Sequence, residues 1–144
     1  MKSYDKLNHA KWECKYHLVF IPKFRKKLIF GKLKAHLGPV LRDLVERSGA
    51  KLEEGHLMPD HVHMLISVPP KYRLSDVVGF VKGKSAIYVA RNFMGRLKNY
   101  TGFSFWARGY FVTTVGRDEV KIREYIRYQE KEDQRLDQLN LFKQ

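Results

Sequence analysis

At 144 residues, 44% hydrophobic and 30% charged, the chain is one folded domain by length, neither disordered nor fibrous in composition. Lys and Arg number 28 against 15 Asp and Glu, and a net charge of +13 points to a polyanion, nucleic acid before a membrane surface. A lone Cys14 excludes an internal disulfide. With no apolar signal core and no run near the roughly 18 residues of a membrane span, a soluble cytoplasmic protein without a membrane partner is expected.

Residues 12–21 (WECKYHLVFI) read as a first strand, stopped by Pro22 and followed by the basic loop Lys23-Phe-Arg-Lys-Lys27. Leu33, Leu37, Val40, Leu41, Leu44 and Val45 recur at helical spacing, and Ser48-Gly49 closes that helix. Gly38-Pro39 within the pattern means either a kink or a helix that starts at Pro39. Residues 50–58 and 61–68 read as strands, made hairpin partners by the two-residue break Pro59-Asp60. Ser75 is the expected N-cap of a helix running to about residue 93. Residues 102–115 (GFSFWARGYFVTTV) should hold the last strand, and residues 118–134 the last helix, ahead of a polar tail over about 135–144. No repeat or linker divides the sequence, so residues 1–144 are expected to form a single domain. The order of elements predicts an α+β fold: a ferredoxin-like or RRM-like split βαβ, with an antiparallel sheet, helices on one face and an added C-terminal helix.

The chemistry concentrates in two places. His61-Val62-His63 opens an otherwise apolar strand bounded by prolines. Residues i and i+2 of a strand share a face about 7 Å apart, so the two imidazoles can converge on one metal ion. The bland alternative is a pair of hydrogen-bonded histidines on a sheet face. Two titratable rings on an apolar strand are costly without a partner, which favours the metal. On the last helix, Tyr125 and Gln129 are four residues apart and share a face. Tyr125 is either core, with Ile122 and Ile126, or a nucleophile; Tyr128 is its rival on another side of the helix. A phenol of pKa about 10 is a weak nucleophile at neutral pH, and a divalent ion polarising a phosphate offsets this. Two imidazoles and the Gln129 amide oxygen would leave coordination positions for phosphate and water. Imidazole suits manganese, zinc or cobalt better than magnesium, so Mg²⁺ would act by availability and Mn²⁺ by affinity.

Lys82-Gly-Lys-Ser85 is not a nucleotide-binding P-loop: the glycine spacing from Gly79 is one residue short, and the segment lies in a predicted helix. The small residues Gly79, Gly83, Ser85 and Ala86 are expected to allow another backbone close, or to pack the helix on the sheet. Lys82 and Lys84, with Arg25, Lys26, Lys27, Arg91, Arg96, Lys98 and Arg108, are the candidate phosphate contacts.

Four stretches carry a family resemblance: Pro59-Asp-His-Val-His-Met-Leu65, the segment 79–85, Phe105-Trp-Ala-Arg-Gly-Tyr110 with Thr114-Val-Gly116, and Tyr125-Ile-Arg-Tyr-Gln129. Spread over most of the chain, they resemble the single-tyrosine HUH transposases of the smallest bacterial insertion sequences, the IS200-like family. The resemblance implies a homodimer acting on single-stranded DNA and recognising hairpins at element ends. It implies that His61, His63 and Gln129 hold the metal and that Tyr125 attacks the phosphate. Attack would leave a 5′-phosphotyrosine and a free 3′-hydroxyl, with active sites shared between subunits in some members. The strand near residues 110–115 is a candidate for the edge that joins two sheets. The competing readings are a non-catalytic RNA- or single-stranded-DNA-binding module on an RRM-like fold, and a replication or conjugation nicking enzyme.

Overall fold

The structure, a computed structural model, describes residues 5–7, 10–93, 105–114, 124–133 and 135. Its frame is a four-stranded antiparallel sheet made of β3 (Lys15–Phe20), β4 (Lys51–Met58), β5 (His61–Ser67) and β6 (Phe111–Thr113), in the order β4-β5-β3-β6. This is the strand order of a split βαβ sheet, in which each helix carries the chain across to a non-adjacent strand. The helices are α1 (Gly31–Arg47) and α2 (Leu74–Phe93), with α3 at residues 124–133. Ahead of the sheet, β1 (Asp5–Leu7) and β2 (Ala10–Trp12) form a separate hairpin that the sequence reading did not anticipate. Trp12 therefore ends β2 instead of starting the first sheet strand.

Alternation along each strand divides the sheet into two faces. Leu18 and Phe20 of β3 and Val62, Met64 and Ile66 of β5 point to one face, joined by Val68 just beyond β5. There they meet Leu37, Leu41, Leu44 and Val45 of α1 and Val77, Val81 and Val89 of α2. A fully buried aliphatic side chain of this kind contributes about 1.5–3 kcal/mol, so this apolar layer supplies most of the stability. The opposite face carries Val19, Ile21, His61 and His63, and α3 covers part of it.

Helix α1 runs unbroken from Gly31, with Pro39 inside it and exposed to solvent, so the helix does not begin at the proline. It stops at Gly49, whose φ of 94° is left-handed and whose N–H reaches the Glu46 carbonyl at 3.0 Å. That conformation favours glycine, and a Cβ there would also lie 2.6 Å from the exposed Tyr72 ring, which would have to move aside. In α2 the Arg73 carbonyl accepts the first turn's bond from Val77 N–H, which puts Ser75 inside the helix and not at its cap. Gly79 and Gly83 are exposed, and among the described residues nothing lies within 4 Å of a Cβ added to either. Packing of the helix on the sheet through these glycines is therefore corrected: among the small residues, Ser85 and Ala86 are the buried ones.

Candidate active site

Strand β5 enters from the turn Pro59-Asp60, and alternation places both imidazoles on the face away from α1 and α2. His61 is half-buried and its Nδ1 lies 2.8 Å from Asp60 Oδ1. Donation from Nδ1–H to that carboxylate leaves the Nε2 lone pair available, the arrangement typical of a metal-ligating histidine. His63 is 9% exposed, and its Nε2 lies 3.2 Å from His17 Nδ1 on the neighbouring strand. His56, directly opposite His63 on β4, has its ring centroid 6.3 Å away.

Helix α3 seats on the same face. Its Ile126 packs with Val19, Ile21 and Ala107, and Tyr125 and Phe111 border that cluster. Val19 is the register partner of His63, so the helix bearing the tyrosine rests one strand from the His pair. Tyr125, Gln129 and Asp133 follow at four-residue intervals along one side of α3, and Gln129 and Asp133 are buried. Gln129 Oε1 faces the chain at Gly109, 4.0 Å from where a Cβ would sit, and the φ of 79° there favours glycine.

The seat for α3 is the turn after β3. Phe24 and Arg25 both hold left-handed φ values, 62° and 51°, at a cost of about 1 kcal/mol or more each. Phe24 N–H donates to Asp133 Oδ2 at 3.0 Å, and Arg25 Nη2 lies 3.1 Å from Glu130 Oε2. Arg25 Nε also comes within 3.9 Å of Asp60 Oδ2, so a single guanidinium links α3 to the carboxylate that orients His61.

The Tyr125 hydroxyl is buried and has no hydrogen-bond partner among the described residues. Burial, and secondarily the Asp133 carboxylate, raise its pKa well above the ordinary phenol value, so in this seat it stays protonated. Tyr128 points away and is 62% exposed.

A family model described as "Transposase IS200 like" matches residues 10–129, which include His61, His63, Tyr125 and Gln129. The chain belongs to the IS200-like transposase family. It is 41% identical over 136 residues to the transposase of insertion sequence element IS200 from Salmonella typhimurium, covering 94% of this chain and 89% of that one. A crystal structure of a transposase from Deinococcus radiodurans R1 superposes with a TM-score of 0.78 at 28% identity, over 87% of this chain and 97% of that chain. A REP-associated tyrosine transposase bound to a REP hairpin shares the fold at a TM-score of 0.53 and 13% identity, over 89% and 70% of the two chains.

The chain is thus a DNA transposase. Among the described residues no three His, Cys, Asp or Glu side chains converge on a point where they could hold a metal. To hold an ion, His61 and His63 would need a neutral donor such as the Gln129 amide, or ligands from outside the protein. None of the described helices is long and apolar enough to cross a membrane.

The expected phosphate contacts divide. Lys26, Lys27, Lys84 and Arg108 are exposed, as is Arg91. Arg96 and Lys98 lie outside the described residues, as do the tail from 136 and the start of the last helix. Arg25 is bound into the ion pairs above and is not a free surface cation. Lys82 is likewise committed within the fold: its Nζ donates to the carbonyls of Ala107, at 2.8 Å, and Gly109, at 2.6 Å. It thereby pins the loop that faces Gln129. Trp106 fixes the same loop, donating from Nε1 to Ser85 Oγ at 2.9 Å and meeting Phe20 edge-on.

Burial lowers the Lys82 pKa from 10.5 to about 8, with Asp133 opposing the shift. The folded chain then binds this proton less tightly than the unfolded chain, so the lysine makes stability rise between about pH 8 and 10.5 and adds no slope below 8. Urea midpoints at about pH 7.5 and about pH 9.5 should show a rise in the wild type that Lys82→Met lacks.

Sequence reasoning missed Asp133 and Glu130 altogether. The signal was present for Asp133, because it extends the Tyr125–Gln129 row by one more turn. It also missed His17, taken as part of a core strand although it alternates with the apolar residues Leu18 and Phe20.

Proposed function

We propose that this transposase cleaves and rejoins single-stranded DNA by attack of Tyr125 on a phosphodiester, with a divalent ion, Mg²⁺ or Mn²⁺, held by His61, His63 and Gln129. The observation that carries this reading is the packing of α3 against Val19, the register partner of His63, on the face where both imidazoles project. The bound ion would polarise the scissile phosphate and offset the charge on the leaving oxygen.

The residues of the chain do the rest. Asp60 fixes the His61 ring, and the turn at Phe24 and Arg25 sets the height of α3 over the sheet. The Tyr125 oxygen forms a bond to phosphorus as the bond to the 3′ oxygen breaks, giving a 5′-phosphotyrosine and a free 3′-hydroxyl. The ester keeps the energy of the broken linkage, so rejoining needs no nucleotide. Hairpins at the ends of the element are the proposed substrate, in line with the hairpin bound by the REP-associated neighbour. The exposed cations Lys26, Lys27, Lys84 and Arg108 are the proposed backbone contacts.

A buried, unpartnered phenol costs about 1–3 kcal/mol, and a protonated one is a poor nucleophile. In the proposed reaction a bound phosphate and ion would give that oxygen its partner, and the enzyme is proposed to act as a homodimer.

Full-length protein incubated with single-stranded hairpin DNA and Mn²⁺ should give a slow-moving covalent adduct on a denaturing gel, abolished by a chelator. Tight binding with no adduct on any element end would contradict the covalent mechanism.

A further inference from the structure

We propose that His17 is a positioning residue for His63, holding the second imidazole of the pair as Asp60 holds the first. The inference rests on the metal reading of His61 and His63 given above. In the β3–β5 register, His17 opposes Leu65 and Val19 opposes His63, so His17 and His63 are diagonal neighbours on one face. Diagonal positions of a sheet lie within reach of each other for aromatic side chains. Here the reach is used: His17 Nδ1 lies 3.2 Å from His63 Nε2, with ring centroids 5.3 Å apart and planes tilted by 56°.

On the other flank of His63, His56 stands directly across and its Nε2 is taken by Glu54 Oε1 at 2.6 Å. Each strand-borne imidazole thus has a tether, His61 Nδ1 to a carboxylate and His63 Nε2 to a second imidazole. A ligand must hold its lone pair within about 10–20° of the productive direction, and a tether at the far nitrogen supplies that restraint. Backbone alternation alone fixes which face His63 is on, but not the rotation of its ring.

The test is Mn²⁺ titration of the full chain by calorimetry, with the visible spectrum of bound Co²⁺ as a second readout. Wild type should show a site that His63→Ala removes; without it the metal reading itself fails and His17 has no ligand to position. Given that site, His17→Leu should weaken Mn²⁺ binding about 10–100-fold and alter the Co²⁺ spectrum. His17→Asn, which places an amide near the Nδ1 position, should recover most of the affinity. Unchanged affinity in His17→Leu, or an Asn variant as weak as the Leu variant, overturns the proposal. Should His17→Leu fail to fold, His17→Asn against His17→Gln decides: retention in the first with loss in the second supports the tether, and equal affinities contradict it.

Discussion

Tyr125→Phe is expected to lower formation of the covalent protein–DNA adduct by about 10³-fold or more, while Tyr128→Phe leaves it within a few-fold of wild type. The two phenols are three residues apart on α3 but face different surroundings. Tyr125 sits over the sheet beside Phe111, at a ring separation of 5.7 Å, and Tyr128 faces solvent. The same substitution should leave stability equal to wild type or raise it by about 1 kcal/mol, because it deletes a buried hydroxyl that has no partner here. Loss of the adduct with unchanged or higher stability would separate a chemical role from a packing one. Adduct formation surviving in Tyr125→Phe and vanishing in Tyr128→Phe would reverse the assignment.

His61→Ala and His63→Ala should each reduce metal-dependent cleavage by about 10²–10³-fold, with binding of hairpin DNA largely retained. The exposed cations that would carry phosphate affinity lie on other elements, the loop at Lys26 and Lys27, helix α2 and Arg108. Single-turnover cleavage at saturating DNA and a range of Mn²⁺ concentrations separates the two effects. Each variant should need more metal and remain slow when saturated with it. His61→Ala carries a further consequence: it leaves Asp60 without its imidazole partner, facing Arg25 alone. Full activity of either variant at wild-type Mn²⁺ concentrations would remove the metal pair from the mechanism.

Much of this site could be read from the chain because it depends on local periodicity. Pro59-Asp60 fixed the hairpin, alternation put His61 and His63 on one face, and the four-residue spacing aligned Tyr125 with Gln129. What escaped depends on contacts distant in sequence. Lys82 resembled any cation on a basic helix, and only the tertiary fold brings the carbonyls of Ala107 and Gly109 to it, 25 and 27 residues away. Arg25 sits in a run of lysines, and nothing local in the sequence announces its ion pairs with Glu130 and Asp60. The β1–β2 hairpin was lost because Trp12 suits either strand by composition, and the break at Glu13-Cys14 has neither glycine nor proline to mark it. Pro39 was ambiguous for a physical reason as well: on the exposed side of α1 a missing N–H is tolerable, and no sequence rule states which side that is.

Anomalous scattering from crystals of the full chain grown with Mn²⁺ and hairpin DNA decides whether the His pair holds the ion. A single manganese peak about 2.1–2.3 Å from one nitrogen of each of His61 and His63 and from Gln129 Oε1, with the Tyr125 oxygen of the same or a neighbouring subunit facing the bound phosphate, is the expected result. A peak elsewhere, or imidazoles of residues 61 and 63 that point away from a common centre, would contradict it.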